Sequence, residues 1–382
     1  MNTNLVERVR SRLVLADAPA TPVNVAQVLR DEGVMLGDAA ILELVTTLRS
    51  ELVGAGALEP LVRMQGVTDV LVNGPFHVYV DRGNGLEATT VTFPSDAAVR
   101  QLAQRLATSA GKRLDDASPC VDAQLADGTR LHAVIPPIAS RGTLISLRVP
   151  RRRAFTLEEL IDAGTLRHGA AAWLRGIVLA KAAFMISGGT GTGKTSILAT
   201  MLGLVDERER VLIVEDSGEL APTHPHLVRL EARQPNTEGV GAVSMAQLVR
   251  QALRMRPDRV VVGEVRGAEV VELLTALNTG HEGGCGTIHA NAAADVPARL
   301  EALGLLAHLD RDAIHALIGA ALHVVIALDR REDGIRRVAT ISVISLNGER
   351  VRADVALDFT REHVQKGPGF DALVSLLGEH AP

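Results

Sequence analysis

Aromatic side chains are nearly missing from this sequence: six Phe, one Tyr and one Trp make up 2% of 382 residues, while 47% of the chain is hydrophobic. Its core must therefore be aliphatic, built from Ala, Val and Leu. Loops that hold single-stranded nucleic acid by stacking bases on rings have little to draw on. Cysteine is as scarce. Cys120 and Cys285 cannot build a disulfide framework and stand in different segments, so they give no metal-binding pair, and a reducing cytoplasm is expected. No run of about eighteen uncharged apolar residues occurs, because the best stretch, Trp173 to Ile186, is cut by Arg175 and Lys181. The opening residues, Met-Asn-Thr-Asn-Leu-Val-Glu-Arg, lack a basic region followed by an apolar one. A soluble chain with at most peripheral membrane contact is expected. Net charge is −5 and the pI about 6.2, which argues against a surface devoted to nucleic acid. There is no internal repeat and no low-complexity tract.

Lysine is sparse too, confined to positions 112, 181, 194 and 366. One of the four completes Gly188-Gly-Thr-Gly-Thr-Gly-Lys-Thr195, which fits the phosphate-cradling pattern G-x-x-x-x-G-K-[ST] at every fixed position. An apolar run over 182–187 reads as the strand entering this loop, and 196–205 reads as the helix leaving it. Strand, glycine loop and helix thus come in the order the motif requires. The glycines let backbone N–H groups turn toward phosphate oxygens, the helix N-terminus adds partial positive charge, and Lys194 supplies a full one. Gly189, Thr190, Gly191, Thr192, Gly193, Lys194, Thr195 and Ser196 are the expected ATP contacts, with the Thr195 hydroxyl offered to Mg²⁺.

The length suggests two domains with an extra N-terminal piece. Residues 1–55 show helical periodicity, in Val25, Val28 and Leu29 and again in Ile41, Leu42, Leu44, Val45, Leu48, Leu52 and Val53. From about residue 56 to 149 the period changes to two, with strands expected near 69–73, 77–81, 88–93, 121–125, 130–135 and 144–149 and one helix at 96–109, a small α+β domain. Pro150-Arg-Arg-Arg-Ala154 reads as a solvated linker within 150–155. Beyond it, strands and helices alternate, which implies a mainly parallel sheet whose strand C-termini gather the ligand. Residues 347–382 are expected as a separate C-terminal strand and tail.

Two further apolar runs end in acids. Arg259-Val-Val-Val-Gly-Glu264 puts Glu264 at a strand end, where it would orient or deprotonate water, and Gly263 stands where many phosphate-loop proteins carry a metal-binding Asp. Val211-Leu-Ile-Val-Glu-Asp-Ser-Gly-Glu219 carries three acids to the same edge, and at least one of Glu215, Asp216 and Glu219 is expected to be a structural cap. In Thr279–Asn291, His281, Cys285 and His289 recur at intervals of four, but Gly283, Gly284 and Gly286 disfavour the helix that would present all three to zinc. A loop feeding a strand, with His289 near the γ-phosphate, is expected instead.

The segments Gly188–Thr195, Glu215–Glu219, Met255–Gly267 and Asn278–Asn291, in this order, resemble the type II/type IV secretion ATPase superfamily, and most closely its Tad/Flp-pilus assembly and conjugal-transfer-associated branch. The front domain resembles it as well, in Gly111–Asp115, Val121–Pro137 and Ile145–Arg148. The resemblance implies an α/β fold, with a RecA-like P-loop NTPase domain over 156–346, preceded by a small α+β (PAS-like) N-terminal domain and a helical lead-in. It implies ATP hydrolysis with Mg²⁺ in a homo-hexameric ring, peripheral at the inner face of the cytoplasmic membrane, that docks on an inner-membrane platform protein of a pilus or secretion system. Under it, Lys194, Glu219, Glu264 and His289 are catalytic, His281 joins His289 in a histidine box, and Thr195, Glu219 and Glu264 hold the metal partly through water. Arg113, Arg130 and Arg148 are the implied phosphate contacts. The four-cysteine zinc module of many type II loading ATPases is missing, so no zinc is expected, and neither is direct nucleic acid. The rival readings are a RecA-like nucleic-acid translocating motor and a regulatory subunit that binds nucleotide without hydrolysing it.

Overall fold

The computed structural model describes residues 54–382 apart from 84, 151, 152, 168, 234, 236–239, 281, 332 and 333, together with 21–34 and isolated positions before residue 46. Two compact units divide the chain, Met1–Pro150 and Arg151–Pro382.

In the first unit, helix α1 (Pro22–Asp31) begins where Thr21 Oγ1 accepts from the Asn24 N–H at 3.2 Å and Pro22 has no N–H to satisfy. Its buried Val25 and Leu29 cluster with Val9, Leu13, Leu44 and Val45. Leu42 falls off the three-and-four spacing shared by Ile41, Leu44 and Val45 and is exposed, while Leu48, Leu52 and Val53 lie outside the described residues. After a short helix α2 (Glu59–Val62) come β1 (Asp69–Asn73), β2 (Val78–Asp81), β3 (Leu86–Ala88), helix α3 (Asp96–Ser109), β4 (Cys120–Gln124), β5 (Arg130–Val134) and β6 (Leu144–Arg148). The strands form one antiparallel sheet in the order β3-β2-β1-β6-β5-β4. Alternate residues such as Val70, Val72, Leu131 and Ile145 pack with Val99 and Leu106 of α3 in a single core. The strand expected over 88–93 stops at Ala88, because β2, which it pairs with, begins at Val78. Phe93 turns into the core instead, donating its N–H to Pro75 O at 2.7 Å.

The expected linker lies partly outside the described residues, and Arg153 within it makes a two-pronged ion pair with Glu159. In the second unit, α4 (Leu157–Asp162) and α5 (Ala170–Leu179) lead into β7 (Phe184–Ser187). Then follow α6 (Lys194–Leu202), β8 (Val211–Glu215), β9 (Leu227–Glu231), α7 (Met245–Ala252), β10 (Arg259–Val265), α8 (Glu269–Asn278), β11 (Cys285–Ile288), α9 (Val296–Leu306), α10 (Arg311–Ala321) and β12 (Val324–Arg330). Strands β9, β8, β10, β11, β7 and β12 lie side by side and parallel. The sheet continues antiparallel through β13 (Arg336–Asn347), β14 (Arg350–Asp358) and β15 (Gln365–Lys366). Residues 347–382 are therefore part of this body rather than a separate tail. A last helix, α11 (Phe370–Leu377), closes it, with Phe370 meeting Trp173 edge-on at 5.8 Å between ring centres.

Parallel strands covered on both faces read as unbroken apolar runs. The period of two is still there, hidden within them. Phe184 and Ile186 enter the core on one face, with residues of α5, α6 and α11, and Ala183 and Met185 enter the core on the other, with α7, α8, α9 and α10. At β8 the same split sends Val211 and Ile213 one way and Leu212 and Val214 the other. Among the described residues, no helix is long and apolar enough to cross a membrane.

Phe184 is 1% exposed at the head of the strand that feeds the glycine loop. Replacing it with alanine should cost about 3–5 kcal/mol, read as a fall in the unfolding midpoint of the second unit. A loss below about 1 kcal/mol would mean that the site is not close-packed.

Candidate active site

Register decides what meets at the sheet edge. Ile288 of β11 pairs with Ser187 of β7 on one side and with Val265 of β10 on the other. The three parallel strands therefore release the glycine loop, His289 and Glu264 side by side, as the rule for parallel sheets requires.

The loop enters α6 through Gly193, whose φ of +94° is open to glycine and strained for any other residue. Thr192 Oγ1 donates to Gly189 O at 2.9 Å and braces the turn, while Thr190 and Gly191 stay exposed. Buried Lys194 donates Nζ–H bonds to Gly188 O and Gly189 O, both at 2.9 Å, and its Nζ lies 3.3 Å from His289 Nδ1. Burial holds the ammonium's pKa below the usual lysine range, against the pull of Glu264. Thr195 and Ser196 follow in the first turn, and among the described residues the Thr195 hydroxyl has no protein partner.

From Lys194 the contacts continue into the acids. His289 Nε2 meets Glu264 Oε1, and Arg266 holds the other oxygen of Glu264 while its Nη1 stands 3.9 Å from Asp216. Burial, with Lys194, Arg266 and Arg299 nearby, outweighs Glu264 and keeps the imidazole's pKa below the ordinary histidine value. A neutral ring facing an ammonium at Nδ1 carries its proton on Nε2, so His289 accepts from Lys194 and turns Nε2 toward Glu264 Oε1, in contact with it but without an aligned hydrogen bond. Arg266 did not stand out in the sequence among so many arginines. The signal was nonetheless there, because Arg266 stands two residues beyond Glu264 at the end of β10, an extended spacing that puts the two side chains on one side.

Of the three acids after β8, the cap is Glu215. Its Oε1 accepts the N–H groups of Glu219 at 3.1 Å and Leu220 at 2.9 Å, and Oε2 has only Arg229 Nε, at 3.4 Å. The side chain also fills the space beside Gly263, where an added methyl would sit 2.7 Å from Glu215 Cγ. An Asp at 263 and this buried Glu215 exclude one another. Thr287 Oγ1 completes the contact from β11, donating to Gly263 O at 2.7 Å.

Elsewhere, the expected residues are only partly brought together. Arg130 and Arg148 are direct cross-strand partners on β5 and β6, whereas Arg113 is taken up by Asp115 in its own loop. All three belong to the first unit and the glycine loop to the second. His281 lies outside the described residues. Cys285 is fully buried, its thiol pushed up to about 12 by burial, so it is no thiolate donor at neutral pH. Among the described residues, no three His, Cys, Asp or Glu side chains gather as a metal cluster.

The chain matches the family described as type II/IV secretion system protein over residues 51–335. It is 54% identical over 344 residues to a Mycobacterium tuberculosis H37Rv protein named, provisionally, for conjugal transfer, covering 88% of this chain and 96% of that one. The type IV secretion system protein PtlH of Bordetella pertussis is 32% identical over 317 residues, 74% of this chain and 91% of its own. Among solved structures, the Yersinia pseudotuberculosis ATPase DotB superposes with a TM-score of 0.53 at 17% identity, over 84% of this chain and 80% of that one, a likeness of fold.

Burial raises the Glu215 pKa from 4.5 to about 7, against the opposing N–H donors and Arg229. The folded chain thus keeps a proton that the unfolded chain releases, and the associated stability, full below about pH 4.5, is lost as pH rises through about 7. By about pH 8 the loss is on the order of 3 kcal/mol. Glu215→Gln keeps an acceptor for the two N–H groups without the charge, so its unfolding midpoint should exceed that of the wild type at about pH 8 and converge with it near pH 5. Parallel midpoints across that range would remove Glu215 as the source of the slope.

Proposed function

This chain belongs to the family of type II/IV secretion system proteins, and we propose from that premise that it hydrolyses ATP to power pilus assembly or protein secretion across the cytoplasmic membrane. The observation that carries the proposal is the unbroken chain of contacts from Lys194 through His289 to Glu264 and Arg266, set at the mouth of a phosphate-type loop. The names of its relatives, in conjugal transfer and type IV secretion, support the biological setting. That the DotB structure is of an ATPase supports the reaction.

Each residue then has a task. Lys194 exchanges the carbonyls of Gly188 and Gly189 for phosphate oxygens, while the N–H groups of the loop and of the first turn of α6 turn toward the same phosphates. Neutral His289 carries no charge of its own to the reacting phosphate. It couples the position of Lys194 to that of Glu264 through its two nitrogens. Glu264, held at Oε2 by Arg266 and leaving Oε1 beside His289 without a hydrogen bond, orients the attacking water and takes up its proton. Mg²⁺, bound with ATP, would supply positive charge to the transferring phosphoryl group. Thr195, with Glu219 and Glu264 partly through water, would hold it, and the unpartnered Thr195 hydroxyl fits that task.

The finer parts of the reading rest on the resemblance. They are a RecA-like second unit, a PAS-like sheet in the first, a six-membered ring, attachment to an inner-membrane platform protein at the cytoplasmic face, and phosphate contacts from Arg130, Arg148 and, once released from Asp115, Arg113.

Purified assembly should turn over ATP with Mg²⁺. Lys194→Ala should lose nucleotide affinity, and Glu264→Gln should keep affinity but lose turnover by about 10²-fold or more. Phosphate release at the wild-type rate from both variants would show that the site is not catalytic.

A further inference from the structure

The loop has a second flank, away from Glu264 and His289, and it is lined by arginine. Strand β12 pairs with β7 as far as Ala327 and Ser187, then runs on through Leu328, Asp329 and Arg330 alongside the loop. Strand β13 returns antiparallel to it, with Arg330 opposite Arg336. The turn end of this hairpin touches the loop at two places. A methyl on Gly188 would lie 2.9 Å from Leu328 O, and a methyl on Gly193 would lie 3.4 Å from Arg336 Cδ. Arg336 therefore rests its stem against the residue that opens α6.

Its neighbours are spoken for. Arg330 Nε reaches Gly334 O at 3.3 Å, and Arg331 is held by Thr360 O and by Asp329 at 3.8 Å. Exposed Arg336 has neither hydrogen bond nor ion pair among the described residues, and 332 and 333 lie outside them. Two like charges directly opposite on paired strands are destabilising, and an anion between them and the loop offsets that cost.

We propose that Arg336 binds the α-phosphate of the nucleotide in the same subunit, from the flank opposite the reacting end. The proposal rests on the ATPase reading above. Sheet order supports it: the γ-phosphate must face β10 and β11, where Glu264 and His289 stand, which turns the part of the nucleotide that survives hydrolysis toward β12 and β13. A guanidinium suits two adjacent phosphate oxygens through its planar fork. Because the α-phosphate neither makes nor breaks a bond and gains no charge as the β–γ bridging oxygen leaves, a contact to it is equally strong before and after the transition state. It is uniform binding, which lowers KM and leaves kcat alone.

The test compares full-length Arg336→Ala, Arg336→Gln and Arg336→Lys with wild type. Dissociation constants for fluorescent ATP and ADP analogues are measured alongside kcat and KM, with circular dichroism confirming the fold of each variant. The Ala and Gln variants should bind ADP and ATP more weakly by a common factor of about ten, the scale of one charged hydrogen bond. Their KM should rise in step and their kcat stay within about twofold, while Lys recovers part of the affinity. Unchanged ADP affinity, or a fall in kcat at saturating ATP, overturns the assignment. Wild-type binding that is tight, lost in Lys194→Ala and untouched in Arg336→Ala sinks this inference alone. A wild-type chain that binds neither nucleotide sinks the ATPase reading with it.

Discussion

Backbone pairing between β7, β11 and β10 holds the site together. Ser187, Ile288 and Val265 are neighbours across three parallel strands, so a slip of one residue in either pairing would turn His289 or Glu264 to the other face of the sheet. The apolar residues of these strands, locked into two cores, oppose such a slip. Chemistry at the edge is thereby coupled to packing in the middle. The side-chain contacts from Lys194 to Arg266 need no long loop of their own to bring them together.

A second constraint lies one layer deeper. Glu215 occupies the space that a side chain at position 263 would need, and spends one oxygen on the turn that carries Glu219. The acid is buried to 3% exposure, a costly place for a carboxylate. What the cost secures is the direction of the 216–219 turn and a close approach to the bare Gly263, whose carbonyl accepts from Thr287. The strand that carries Glu264 thus lies beside β8 with the Glu215 side chain packed against Gly263. The site's acids have divided their work: Glu215 shapes the edge, and Glu264 faces outward with His289 and Arg266.

Much of the second unit was legible in the sequence because its strands are buried on both faces. The run from 182 to 187 and the Val-Val-Val of β10 have no other use than a covered sheet, and the glycine loop is a pattern with few alternatives. Where legibility failed, the missing term was tertiary. Three acids in a row are chemically alike, and only the contact with Gly263 singles out Glu215 as the cap. The strand expected to 93 was truncated by the starting point of its partner, which no local pattern reports. Strands β13 to β15 look locally like a free hairpin, since their attachment to β12 joins segments that carry no marker for one another. Arg266 and Arg336 were hidden by abundance, in a chain whose positive charge is nearly all arginine.

The two cysteines acquire a use from their surroundings. Cys285 lies fully buried in β11 with its thiol pushed up to about 12, whereas Cys120 is exposed on β4 of the first unit. A maleimide at neutral pH has one address on the native chain. A single dye can therefore be placed on the front unit without mutagenesis, at a position fixed by β4 rather than by a loop.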